Sequence, residues 1–484
     1  MVNSDRRKWL ALALLCVVQF MVVLDIAIVN VALPSIQVDL GFSQENLQWV
    51  ISAYALVFGG FLLLGGRAAD LLGRRRIFLV AIVLFTLASL FAGLAWSEGS
   101  LITARALQGL GAAVITPAAL SMLSTTFVEG RERNIALGAW GAVGGFGAAA
   151  GVLLGGVLTD ALSWELIFFV NVPVGVIAFV LAPLLLKESR DAQVKRFDLP
   201  GALLVTGGLS LFVYAITKAG QDGWLAGATL TFFAVSALLL LGFIVWELRH
   251  PEPLMRFGLL RHKTVAGANV AGFILGTALF AMFLMLTLYM QQVLGYSAMK
   301  TGVAYLAVAG TAILTSALAA QLVTRVGVKP IMAIGMIALT GGLVYFTQVS
   351  VGGSYLGDLL PGFLLVAVGI GFAFVPISIA ALAGVEPHEA GLASGLINTS
   401  QQIGGALGIA ALSTIATSRT NDAVAGGATH ASALVTGFHG AFFAGVLIAA
   451  LGVVATLTLV RRDELEQPVD VEATEAQPAL DLAA

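Results

Sequence analysis

Gly66-Arg67-Ala68-Ala69-Asp70-Leu71-Leu72-Gly73-Arg74-Arg75-Arg76 is a short charged break between two apolar runs, 47–66 and 77–96. Each run is about twenty residues long, the length a helix needs to cross a bilayer core of about 30 Å. Strands of a membrane barrel would alternate apolar and polar residues over about ten positions. These runs do not alternate. The break therefore reads as a loop joining two membrane-spanning helices, and its arginines mark the side on which it lies.

Working outward, the pattern repeats. Candidate spans lie near 10–31, 47–66, 77–96, 101–122, 135–158, 165–186, 200–219, 225–247, 266–290, 300–324, 330–350, 358–383, 391–416 and 436–460. The composition agrees. Of 484 residues, 59% are hydrophobic and 11% charged, and the mean hydropathy is +0.97. A soluble protein carries about 25% charged residues, and so few charges could not cover a soluble fold. Disorder and coiled coil are excluded on the same ground. The 56 glycines suit helices that pack closely in a membrane. The expected fold is an all-α integral membrane protein of fourteen transmembrane helices.

Charge asymmetry orients the helices. Fourteen spans put both ends on one side, and that side holds all of the 25 Lys and Arg residues except Lys218, Lys300, Arg419 and the in-span Arg105. Basic loops face the cytoplasm, so a multi-pass protein of the cell membrane with both termini cytoplasmic is expected. The stretch after Arg6, Arg7 and Lys8 lacks a small-residue cleavage site and reads as a first span rather than a signal peptide.

Polar breaks near Lys187–Asp198 and Arg249–Lys263 divide the chain as six, two and six spans. The expected units are an N-terminal six-helix bundle (1–190), an inserted two-helix hairpin (191–250), a C-terminal six-helix bundle (251–462) and a disordered acidic tail (463–484). Gly144-Gly145 and Gly404-Gly405 each fall in the fifth helix of a group of six, as a parallel repeat would place them.

Net charge is −2 and points to no nucleic-acid partner. The single cysteine, Cys16, lies in an apolar run and reads as a small core side chain. The five histidines, His250, His262, His388, His430 and His439, fall in or near predicted loops and helix ends without ligand spacing. No metal, no cofactor and no nucleotide-binding loop is expected. Paired intramembrane acids are absent too, so the chain does not read as an enzyme. The expected partners are a small-molecule substrate, protons and membrane lipid, with no obligate protein partner evident.

Two charges lie inside apolar spans: Asp25 in the first and Arg105 in the fourth. A charge at the bilayer centre costs about 2.5–3.5 kcal/mol on insertion scales and marks a functional site by default. The two should pair across a polar interior, either as a static ion pair or as a proton relay. The remaining in-span polar residues are few: Asn30, Tyr54, Gln108, Asn269, Tyr289, Gln291, Asn398 and Gln401. Singly, such residues often serve interhelical hydrogen bonds. Together they suggest a wide, mostly apolar cavity suited to lipophilic, neutral or monocationic molecules.

Several motifs carry a family resemblance. Gly66-x-x-x-Asp70-x-x-Gly73-Arg74-Arg75 resembles the signature loop of the major facilitator superfamily. Leu24-Asp25 with Asn30-Val31-Ala32-Leu33-Pro34 resembles the first-helix signature of its fourteen-helix drug:proton antiporter group, often called EmrB/QacA-type. Leu101, Arg105 and Gln108-Gly109 are similar to that group's fourth-helix signature. Tyr289-Met290-Gln291-Gln292 and Asn398-Thr399-Ser400-Gln401-Gln402 resemble further segments of it. Gly138, Gly147, Gly151, Gly155 and Gly156 fit the fifth-helix antiporter pattern, with Val152 where the pattern has proline.

The resemblance implies the major facilitator fold, two six-helix bundles plus two inserted helices. It implies proton-coupled efflux of lipophilic or cationic drugs and other amphipathic molecules by alternating access. Asp25 and Arg105 would couple protons, and Gly66, Asp70, Gly73 and Arg74 would form a gating loop. Gly138, Gly147, Gly151, Gly155 and Gly156 would form the antiporter-motif helix. Asn30, Tyr54, Gln108, Tyr289, Gln291, Asn398 and Gln401 would line the substrate cavity. Val152 leaves open the alternative of a uniporter or symporter of a small organic solute.

Overall fold

The computed structural model describes residues 4–127, 131–190, 198–251, 253–255, 257–385 and 390–461. Among the described residues the architecture is all helical. The long helices are α1 (Ser4–Leu40), α2 (Trp49–Leu72), α3 (Arg74–Gly93), α4 (Glu98–Thr126), α5 (Arg131–Ala161), α6 (Asn171–Leu185), α7 (Leu199–Asp222), α8 (Gly227–Glu247), α9 (Lys263–Leu288), α10 (Ala298–Val326), α11 (Val328–Phe346), α12 (Leu360–Ala380), α13 (Ala390–Ala425) and α14 (His430–Leu459). Twelve of them are long and apolar enough to cross a membrane among the described residues; α5 and α13 complete the fourteen. The tail expected at 463–484 lies outside the described residues.

The helices form two bundles of six whose principal contacts correspond, except that α13 also packs on α14. In the first, α5 packs on α1, α4 on α2 and α3, and α6 on α3 and α1. In the second, α13 packs on α9, α12 on α10 and α11, and α14 on α11 and α9. The glycine pattern repeats with it: Gly151 and Gly155 lie on α1, and Gly404 and Gly408 lie on α9.

The bundles meet along two seams, α2 against α13 and α5 against α10. The hairpin α7–α8 sits beside only one of them. Helix α7 touches both α2 and α13, while α8 leans on α7. Gln48 Nε2, just ahead of α2, donates to Thr217 Oγ1 of α7 at 2.7 Å. Asp198 caps α7 through Gly201 N (2.8 Å) and accepts from Trp246 Nε1 of α8 (2.7 Å). The buried charged residues among those described are Asp25, Arg105, Asp198 and Glu247; none lies between Lys263 and Arg461.

The charged break at 66–76 is not a loop. Helix α2 runs to Leu72 and α3 starts at Arg74, so Asp70 is helical and the corner is Gly73 alone, at φ +114. Hydropathy reports where the apolar run stops, whereas the hydrogen-bond ladder continues until a residue with positive φ ends it. The first helix shows the same effect. It extends past the run predicted at 10–31, through Pro34, and stops at Gly41, φ +69.

Candidate functional site

Four of the predicted residues converge inside the first bundle. Arg105 and Gln108 stand three apart on α4, hence on one face of the helix. Opposite them α1 presents Asp25. Arg105 Nη1 meets Asp25 Oδ2 at 2.6 Å, the short length of a charge-assisted bond. Gln108 bridges the pair: its Oε1 accepts from Arg105 Nη1 (2.9 Å) and its Nε2 donates to Asp25 Oδ1 (2.9 Å). Tyr54 of α2 lies beneath the guanidinium, with its ring centroid 4.4 Å from the Arg105 carbon. Asp25, Arg105 and Gln108 are each at most 1% exposed.

Residues outside the motifs complete the network. Arg105 Nε donates to the Val50 carbonyl at 2.9 Å. Asn171 Nδ2, at the start of α6, donates to Asp25 Oδ1 (2.9 Å) and to Ser89 Oγ of α3 (3.1 Å). Ser89 in turn donates to the Phe168 carbonyl (2.8 Å). One carboxylate thus takes donors from α4 and α6, and its cation is held by α2. A buried ion pair offsets its desolvation only with such extra hydrogen bonds. The Tyr54 hydroxyl, beside this network, is buried with no hydrogen-bond partner.

The glycines of α5 bring that helix onto α1 along Val23, Leu24, Ala27 and Ile28, a face turned away from the Asp25 side chain. A Cβ on Gly151 would stand 2.8 Å from Ala27 Cβ and 3.0 Å from the Leu24 carbonyl, and one on Gly155 would stand 2.7 Å from the Ile28 carbonyl. Gly147 lies against Val23 of the same helix, and Gly156 turns away to α10. Gly138 is in α5, but its surroundings lie outside the described residues. The Val152 carbonyl abuts Gly302 of α10 across the seam.

At the Gly73 corner, Asp70 Oδ1 accepts from Arg74 Nε at 2.7 Å and lies 3.4 Å from Ser121 Oγ of α4. Gly66 rests on Pro117 of α4. Glu188, just past α6, accepts from Arg75 N at 3.1 Å and stands 3.7 Å from Arg76 Nε. The first side chains of α13, at 390–392, lie outside the described residues.

The other cavity candidates are scattered. Asn398 is exposed on α13 and bonds back to Ser394 O, and Gln401 follows it, half-buried. Asn30 bonds back to Ile26 O (3.0 Å) on its own helix. Tyr289 and Gln291 sit in a π-helical turn, Tyr289–Val293, at the end of the bundle opposite the termini. Tyr289 is fully buried, its hydroxyl on the Ser350 carbonyl at 2.7 Å. Gln291 Nε2 crosses between bundles to the Val31 carbonyl at 2.8 Å. Sequence reasoning missed Asn171, Ser89 and Glu188; the one available signal was a polar Asn171 inside an otherwise apolar sixth span.

A buried ion pair thus ties helices 1 and 4 within one of two six-helix bundles. Residues 15–409 match the family model of the Major Facilitator Superfamily. The chain belongs to that superfamily. It is therefore a membrane transporter rather than an enzyme. The transporter is 41% identical over 485 residues to the puromycin resistance protein pur8 of Streptomyces alboniger, covering 98% of this chain and 96% of that one. It is 40% identical over 454 residues to the cephamycin export protein CmcT of Amycolatopsis lactamdurans, covering 93% and 91%. Among solved structures its fold is similar to that of the nucleoside transporter NupG, with TM-score 0.67 at 12% identity over 94% of this chain and 100% of that one. A bacterial homologue of the lysosomal transporter Spinster has TM-score 0.64 at 16% identity, covering 95% and 98%.

Proposed function

We propose that this transporter belongs to the fourteen-helix drug:proton antiporter group and exports lipophilic or cationic drugs by alternating access, driven by inward protons. In this reading residues 1–190 and 251–462 are the rocking halves, 191–250 the inserted hairpin, and both termini are cytoplasmic. The observation that carries it is the Asp25 carboxylate, wholly buried and shared among Arg105, Gln108 and Asn171. A proton added there weakens three bonds at once and leaves the guanidinium without its anion, held only by the Val50 carbonyl and Gln108, which gives a protonation event the means to move helices α1, α4 and α6. The antibiotic resistance and export relatives support a drug cargo, and the exposed Asn398 and half-buried Gln401 are its polar contacts. Asp70 and Arg74 act as the gate at the Gly73 corner. The driving force suffices: each proton brings about 2.3 kcal/mol per 100 mV and about 1.4 kcal/mol per pH unit.

The deciding experiment separates a proton carrier from a fixed ion pair. Asp25→Asn strands the Arg105 charge, at a cost of about 3–5 kcal/mol. Adding Arg105→Gln removes the stranded charge. In proteoliposomes the double variant should insert and bind drug, yet fail to accumulate it when a pH gradient is imposed. Full pH-driven accumulation by the double variant would make the pair structural. Val152 in place of the motif proline favours the second reading, a uniporter or symporter; solute counterflow that ignores the pH gradient would select it.

A further inference from the structure

Asp160 lies in the last turn of α5, at the end of the molecule opposite the termini, and reaches across the seam to the other bundle. Its Oδ1 accepts from the Ala298 amide (3.0 Å) and its Oδ2 from the Met299 amide (2.7 Å). These are the first two residues of α10. The third amide of that turn, Lys300 N, is served by the helix's own cap, Ser297 Oγ, at 3.2 Å. Gly156, one turn before Asp160, sets the spacing: a Cβ there would stand 2.7 Å from both Ala298 O and Met299 Cα.

The electrostatics of the contact depend on the closed seam. A helix N-terminus presents unpaired amides and partial positive charge, which an anion satisfies. A helix C-terminus carries partial negative charge, which an anion opposes. Asp160 therefore sits badly on its own helix and well on its neighbour's. Parting the bundles at this end leaves the carboxylate beside the α5 carbonyls and strips two amides of α10 of their acceptor. Two other cross-bundle bonds at this end among the described residues, Gln291 to the Val31 carbonyl (2.8 Å) and Gln292 to Gln37 (2.9 Å), are neutral.

We propose that Asp160 is the far-end latch of the transporter, an anion of one half that caps a helix of the other only while that end is shut. It is a positioning residue: it sets the resting balance between the two access states and touches neither cargo nor the Asp25 site. The inference rests on the alternating-access part of the proposed function and not on proton coupling, so its test uses neither drug nor pH gradient.

The test is a distance measurement on the full chain in nanodiscs. Trp96 and Leu356 are exposed positions of the two halves at this end, 72% and 72% accessible. Spin labels on Trp96→Cys and Leu356→Cys, in a Cys16→Ser background, report its opening. The otherwise unaltered protein should show mainly the short separation. Asp160→Ala should raise the long-separation fraction roughly fivefold, the scale of losing one helix cap. Asp160→Asn, which keeps one acceptor, should fall between and carries the test if the alanine variant does not fold. Met299→Asp added to Asp160→Ala returns a carboxylate to the first turn of α10 from its own helix. That variant should recover thermal stability and keep the raised open fraction. An unchanged open fraction in folded Asp160→Ala, or a return to the closed state in the double variant, would overturn the latch; the second result would make Asp160 a helix cap and nothing more.

Discussion

Asn171 spends both of its amide hydrogens inside the membrane, one on Asp25 and one on Ser89. Hydrogen bonds to a charged group contribute about 1.5–3 kcal/mol, and neutral ones about 1 kcal/mol. Asn171→Leu should therefore destabilise the protein by about 1.5–3 kcal/mol, while Ser89→Ala should cost about 1 kcal/mol; thermal unfolding in detergent, compared across the two variants, reads the difference. Equal losses would mean that Asn171 does not serve the carboxylate. The same contrast explains what was legible at this scale. Asp25 and Arg105 stand out in sequence because an ionised group in an apolar run is costly and rare. Asn171 and Ser89 are ordinary in a membrane helix until folding brings them to a charge. Tyr289 shows the reverse: a polar tip in a span suggests a cavity contact, and here it closes a bond to Ser350 within its own half.

The corner between α2 and α3 is one residue wide. Gly73 holds φ +114, outside the range of L side chains, and a Cβ there would stand 2.9 Å from Glu188 Oε1. Gly73→Ala should cost about 1–3 kcal/mol of backbone strain and loosen the Glu188 contacts with Arg75 and Arg76. Hydrogen exchange should then rise at the α2–α3 corner and at residues 186–189 while the Asp25 network stays protected. Uniform exchange across the first bundle would show that the corner is not held locally. The number, order and apolar extent of the helices were readable from hydropathy, because burial in lipid demands it. Their ends were not, because hydrogen bonding outlasts hydropathy: Asp70 belongs to a helix and α1 runs on through Pro34. The one-sided seat of the hairpin was also silent in sequence, since α7 has to choose between two seams that look alike in hydropathy.

Across the whole molecule, an even number of crossings puts the start of α1 and the end of α14 at one end, where most of the Lys and Arg residues lie. A reporter fused after Arg462 should be cytoplasmic, and one inserted at Gly426, in the turn between α13 and α14, should be external. Both on one side would remove a span from the count. The two bundles share a packing plan, yet their interiors differ in kind. The first half and the hairpin hold every buried charge among the described residues, and the second half, from Lys263 to Arg461, holds none. The two halves thus differ in the polarity of their interiors, with buried charge in one and an apolar wall in the other. Mutations that reshape the second wall strand no ion and meet only the modest cost of repacking hydrocarbon. A change at Asp25 or Arg105, by contrast, leaves its partner behind as a lone charge in a dry interior.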